Sequence, residues 1–212
     1  MIEISRERAP KAPRDVVYGI YRDGDNNLDQ VQSAVIGDAE RASAEDGRLA
    51  FTVENTTHDG TRGGSLHTED GVIAGGRAAW SARPAANMAS PQELAGFVER
   101  TLEAAHARGG EQAVWIELVD HGGGDGGGLE ADSAHAMMAM PAMAQAIADG
   151  TAAYNRLHPA DQRHVEGVAI IMSTKTVHRL LKCPRPSGHS SALPQRPTCS
   201  AARHNGASVF IV

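Results

Sequence analysis

The chain has 212 residues, 41% of them hydrophobic, with 20 Lys plus Arg against 26 Asp plus Glu and a formal charge of -6. That length suits one globular domain with a sizeable core and leaves no room for a second full one. No basic run is long enough to neutralise a nucleic-acid backbone, so nucleic acid is excluded as a partner. Aromatic residues make up 4%, which leaves the core to Val, Ile, Leu, Met and Ala. Cys183 and Cys199 have neither CxxC spacing nor enough companions for a zinc site or a disulfide framework. No apolar stretch reaches the length of a signal peptide or a membrane span, so the expectation is a soluble, cytoplasmic chain without membrane contact.

Residues 1–13, MIEISRERAPKAP, carry charges and two prolines without periodicity and read as a flexible lead-in. From Asp15 to Tyr21 the run DVVYGIY is continuously apolar, as a strand buried on both faces should be. After the turn RDGDNN, the stretch from Leu28 to about Ala44 places Val31, Val35 and Ala39 four apart, predicting an amphipathic helix. RLAFTVEN, 48–55, predicts a second strand. Between Thr56 and Pro84 the Gly-, Thr- and Asp-rich sequence suggests a hairpin or irregular excursion.

Ser90-Pro91-Gln92-Glu93 combines an N-cap serine, a proline at the first helical position and an early acid. Leu94, Phe97, Val98 and Leu102 follow on one stripe, predicting a helix that ends near Arg108-Gly109. AVWIELVD, 113–120, predicts a third strand that runs directly into HGGGDGGG. A helix from about Pro141 to Leu157 carries Met143, Ile147 and Tyr154, and HVEGVAII, 164–171, supplies a fourth strand. Alternating strands and helices indicate a mainly parallel α/β sheet with helices on both faces. Beyond Met172 the character changes. KTVHRLLK reads as one short basic helix, and the following CPRPSGHSSALPQRPTCSAARHNGAS has four prolines and no apolar period.

Active sites of parallel α/β sheets gather at the carboxyl ends of strands, and Asp120-His121-Gly122-Gly123-Gly124 lies at such an end. A histidine there can serve as general acid or base, because its ordinary pKa lies near neutrality. Glycines let backbone N–H groups approach a substrate closely, which an oxyanion hole requires. Taken alone, HGGG is equally a flexible loop; the apolar strand directly before it favours a site. The other nine histidines, among them His58, His67, His135, His158 and His164, read as surface residues in loops or on polar helix faces.

YRDGDNNLD, 21–29, resembles the opening strand-to-helix segment of clostripain-like cysteine peptidases, in which a Gly/Ala-Asp-Asn-Asn-Leu motif follows the first strand. SPQELAGFVERTLEAAHARGGEQAVWIELVDHGGG, 90–124, resembles their helix, strand and His-Gly block, and the likeness runs from about Val16 to Ile170. The resemblance implies a caspase-like three-layer α/β sandwich and a His-Cys dyad, with His121 matching the family histidine and Gly122 the glycine that helps hold the substrate oxyanion. It also implies a peptide or protein substrate and, with no cofactor required, calcium dependence.

In that family the nucleophile sits at the end of the next sheet strand, close to Asp-Ala-Cys-Leu-Met. Here the corresponding place is GVAIIMST, 167–174: Val168, Ala169 and Ile170 match the strand and Met172 the methionine, while Asp-Ala-Cys is absent. A cysteine peptidase needs the thiolate itself. Cys183 lies about a dozen residues too late, and Cys199 later still. The family's preference for basic residues is linked to an acidic group near the nucleophile, in the same missing segment, so it is not carried over.

The expectation is therefore a lead-in over 1–13, a partial peptidase domain over 14–171, and a tail over 172–212 that reads as a truncation or frame change. Such a domain would be inactive in this chain, with an exposed apolar edge and marginal stability, because the tail cannot cover the far side of the sheet. Other readings stay open. A catalytically dead homologue could act as a binding module. HGGG also occurs as the oxyanion loop of serine esterases, with Gly188-His189-Ser190-Ser191-Ala192 a loose imitation of their elbow, although no strand precedes it and no room for a triad follows. Gly122, Gly124 and Gly127 satisfy GxGxxG after a strand, nearly automatic in so glycine-rich a run. Asp120, Asp125, Glu130, Asp132 and His135 could bind calcium, with solvated loop acids as the plainer account.

Overall fold

A computed structural model describes residues 14–25, 33–58, 65–120, 128–131 and 133–171. Its centre is a six-stranded sheet built from β1 (Asp15–Asp23), β2 (Leu49–His58), β3 (Leu66–Ala74), β4 (Arg77–Arg83), β5 (Gln112–Val119) and β8 (Gly167–Ile171), in the order β4-β3-β2-β1-β5-β8. The pairs β1–β2, β1–β5 and β5–β8 are parallel, while β2–β3 and β3–β4 are antiparallel. The sheet is thus mostly parallel, with a hairpin extending one edge.

Helices cover both faces, giving a three-layer α/β architecture. Helix α1 (Ala34–Glu45) buries Val35 and Ala39 against Ile20, Phe51, Val53, Ile73 and Val119. Helices α2 (Pro91–Arg108) and α3 (Met140–Leu157) pack on the other face, where Leu94, Phe97, Val98, Met143 and Tyr154 join Val17, Tyr21, Val114, Ile116 and Leu118. The continuous apolar runs of β1 and β5 follow from this: strands covered on both sides have no solvent face to make polar. Among the described residues no helix is long and apolar enough to cross a membrane.

Local chemistry sets the boundaries. The Ser90 hydroxyl accepts from the Glu93 amide at 3.4 Å, so the predicted cap of α2 is made, and the helix stops at Gly109, which has φ 71°. Gly75 and Gly76, at φ 57° and 76°, form the two-residue turn between β3 and β4. That turn makes a hairpin of 66–83, within the stretch for which the sequence suggests a hairpin or irregular excursion. At the α2–α3 crossing, a Cβ on Gly150 would come within 2.3 Å of the Ala95 carbonyl oxygen, so only glycine lets the helices approach this closely.

Several predicted elements shift. β1 extends past Tyr21 to Asp23, and β2 past Asn55 to His58. Helix α1 is described from Ala34 rather than Leu28, and Val31 lies outside the described residues. β8 begins at Gly167 rather than His164, after an extended approach anchored by Glu166, whose carboxylate accepts both forks of Arg14 at 2.6 and 2.8 Å. A short hairpin, β6 (Leu129–Ala131) with β7 (Ala136–Met138), was not legible in the sequence. The lead-in, 1–13, and the tail, 172–212, lie outside the described residues.

Candidate active site

From β1 the chain goes one way, to β2, and later returns to add β5 on the other side. Such a reversal leaves a crevice outside the carboxyl ends of the two central strands, where open α/β sheets bind their ligands. The residues at this place are acidic and buried: Asp23 and Asp25 leaving β1 are 0% and 1% exposed, and Asp120 leaving β5 is 1% exposed. Arg22 is buried beside them and donates from Nη1 to Asn55 Oδ1 on β2.

Each carboxylate has defined work. Asp23 Oδ1 accepts the Asp25 amide at 2.9 Å, closing the turn that carries the chain out of the sheet. Asp25 Oδ2 accepts from Ser133 twice, from the amide at 3.0 Å and from the hydroxyl. Its other oxygen lies 3.6 Å from His58 Nε2 at the end of β2. The Asp120 carboxylate accepts the Glu130 amide on β6. Burial, and after it the charge of Asp120, pushes the Asp23 carboxyl well above the ordinary carboxylate range.

His121 and Gly122, the residues on which the sequence reading rested, fall in 121–127 and lie outside the described residues, as do Gly124, Asp125, Gly127 and Asp132. On either side of this segment, Asp120 follows β5 directly, and Gly128 donates its amide to the Met138 carbonyl at 3.2 Å. The adjacent strand β8 runs parallel to β5 in the register Val119↔Ile171. The two strands therefore finish side by side, one continuing into His121 and the other into Met172. No cysteine occurs in 167–174, and Ile170 is packed into the core at 4% exposure. Cys183, Cys199 and the segment 188–192 lie outside the described residues.

Of the five calcium candidates, Asp125 and Asp132 lie outside the described residues. The Asp120 carboxylate accepts a backbone amide, and exposed His135 sits in the β6–β7 turn at φ 48°. Among the described residues no three His, Cys, Asp or Glu side chains come together as metal ligands.

The histidines need correction, because two of those read as loop or surface residues lie in the sheet. His58 ends β2 facing Asp25, and His67 lies in β3. His158, at the end of α3, bonds Glu103 Oε1 at 2.6 Å and stacks 4.6 Å from Tyr154. Periodicity could not show this, since strand pairing and helix packing brought these side chains to their partners.

Two further features lie away from the crevice. Glu54, fully buried on β2, is held by Arg83 at 2.7 Å and by Arg100, with Asp70 and Glu93 completing the network. Burial and then the charge of Glu93 push its carboxyl up, against the pull of Arg100 and Arg83. Beside it a cleft of about 330 Å³ opens between α2 and the β3–β4 hairpin, lined by Thr52, Asp70, Val72, Trp80, Phe97 and Arg100. It contains none of the strand-end residues of the crevice.

No protein-family model and no curated protein matches this sequence. Among the solved structures similar in three dimensions are two of a secreted C11 cysteine protease from Bacteroides thetaiotaomicron. One, in complex with an irreversible peptide inhibitor, is 12% identical with a TM-score of 0.42 over 65% of this chain and 40% of that one. The other, called iotapain, is 11% identical with a TM-score of 0.43 over 76% of this chain and 53% of that one. The chain spans about half the length of these proteins, or less.

Proposed function

We propose that residues 14–171 are the histidine-bearing part of a clostripain-like cysteine endopeptidase domain, in which His121 is the dyad histidine and Gly122 an oxyanion donor. The observation that supports this reading is the topology: β5, which precedes Asp120 and His121 in the sequence, flanks the reversal point of the sheet, and the next strand, β8, finishes beside it in register. A histidine on one strand end and a thiol on its neighbour would be close enough for proton transfer there. The motifs at 21–29 and 90–124 resemble the same family.

The thiol is missing from that place. Imidazole without a nucleophile can polarise or bind a peptide but cannot form an acyl-enzyme, so this chain binds peptide or protein substrate without hydrolysing it. A role as a binding module follows from the same residues; the serine-esterase reading has no described element behind it. Calcium belongs to the resemblance, and no step is assigned to it.

Incubating the purified chain with Arg- and Lys-reporter peptides, with and without calcium, and labelling it with a peptidyl electrophile tests this. No turnover and no labelled thiol are expected. Turnover lost in both His121→Ala and one of Cys183→Ala or Cys199→Ala would overturn the inactive reading.

A further inference from the structure

We infer that β4 is a self-association edge: two copies of this chain pair antiparallel through Arg77–Arg83, about a two-fold axis at Trp80, and join their sheets into one. The inference is independent of the proposed peptidase reading.

β4 closes the sheet at the end opposite β8. In a hairpin with a two-residue turn, the residues flanking the turn exchange hydrogen bonds with each other, and the pattern alternates from there. With Ala74 opposite Arg77 and Gly71 opposite Trp80, the backbone groups of Arg77, Ala79 and Ser81 turn to β3. Those of Ala78, Trp80 and Ala82 turn outward. Such a row is a template for another strand unless proline, lysine or a bulge blocks it. The strand RAAWSAR contains neither residue, its register with β3 is unbroken, and Ala79, Trp80, Ser81 and Ala82 are all exposed.

The occupant follows from the sequence of the strand itself. A two-fold contact sets residue i against residue j and j against i, so a strand matches its own copy best when it reads alike in both directions. RAAWSAR does so except for the exchange of Ala79 and Ser81. Centred on Trp80, the outward groups of Ala78 meet those of Ala82, and small side chains stand opposite small ones. A Cβ on Gly71 would meet Trp80 Cζ3 at 2.4 Å, so the indole lies over β3 and leaves the edge open.

At the ends of the pair, Arg77 of the second copy stands opposite Arg83, where like charges would repel. Arg83 is already drawn into its own chain: Nη2 lies 2.7 Å from Glu54 and 2.8 Å from Glu93, and Nε lies 3.1 Å from Asp70. The registers Asp70↔Ser81 and Thr68↔Arg83 put Asp70 on the same face as Arg83 and Arg77. The arriving guanidinium therefore meets a compensated arginine flanked by carboxylates, and the charges of the two copies complement each other.

Sedimentation equilibrium of the full chain over a concentration series, with amide-resolved hydrogen exchange by NMR, tests the inference. A dimer that dissociates on dilution is expected, with the Trp80 and Ala82 amides protected only at high concentration. Ala82→Pro removes an outward donor without touching the ladder to β3, and should weaken the dimer about tenfold or more while the dilute protein keeps its melting temperature. Trp80→Lys, which sets two like charges on the axis, should abolish the dimer, and it takes the place of Ala82→Pro should that variant not fold. A chain that stays monomeric throughout the series, a dimer that survives these substitutions unchanged, or protection that falls on β8 instead of β4 would overturn the inference. No readout involves turnover, so an active chain would refute the inactive reading and leave this result standing.

Discussion

The two ends of the sheet use the same residue types to opposite effect. At the amino end, His106 Nδ1 lies 2.6 Å from Asp161 Oδ2, Tyr154 and Arg163 donate to the same carboxylate, and His158 meets Glu103. The groups are partly exposed, and the hydrogen bond from His106, followed by that from Arg163, holds the Asp161 carboxyl down at about 2. At the carboxyl end Asp23, Asp25 and Asp120 are buried together, and burial pushes Asp23 the other way. A partly solvated acid that collects donors stays ionised at small cost, whereas a buried group of acids carries a cost that the rest of the fold must offset. Such a cost, at the carboxyl edge of an open α/β sheet, makes this place the candidate functional site.

The comparison can be broken first through the frame that holds both ends. Gly150→Val places a branched side chain where even a Cβ meets the Ala95 carbonyl, and it should cost ~3 kcal/mol or more, read as a lowered melting temperature. Arg83→Met comes next. It leaves fully buried Glu54 to Arg100 alone and should cost about 1–3 kcal/mol by denaturant titration, because a buried carboxyl loses one of its two arginine partners.

A third test concerns Glu117, buried within β5 and pushed up by burial to about 7 from its ordinary 4.5. The native state therefore holds this proton more tightly than the unfolded chain. The resulting stability is full below about pH 4.5 and is lost as pH rises toward 7. Melting temperatures measured from pH 5 to 8 should fall across this window, by an amount corresponding to roughly 2–3 kcal/mol. Glu117→Gln should make that fall shallower, leaving the part due to Asp23 and Glu54. A wild-type profile that is level across the window would refute the buried, proton-bearing Glu117. The smallest effect is expected at the amino end, where His158→Gln alters a partly exposed hydrogen bond to Glu103 and should change stability by about 1 kcal/mol or less.

Much of the frame was legible in the sequence. The apolar runs at 15–21 and 113–120 are strands, Ser90 caps its helix, and Met143 and Tyr154 face the core. These are local signals: periodicity, a capping hydroxyl, and the absence of polar residues from a strand covered on both faces. The β6–β7 hairpin escaped because each strand is only three residues long, too short to show a period. The Asp-Gly-Asp turn is legible in the sequence but its contact is not, since its partner Ser133 is 108 residues away from Asp25.

By itself, then, the sequence determined a mostly parallel α/β sheet, the position of His121 directly after a buried strand, and the lack of a cysteine where the neighbouring strand ends. Only the tertiary structure decided that β5 and β8 finish side by side, that three aspartates beyond two strand ends are buried together, and that Asp25 and Asp120 accept from Ser133 and Glu130 around the β6–β7 hairpin. Local propensity acts over a few residues, whereas strand order and register, which bring residues a hundred positions apart into contact, are set by how the whole chain buries its apolar surface.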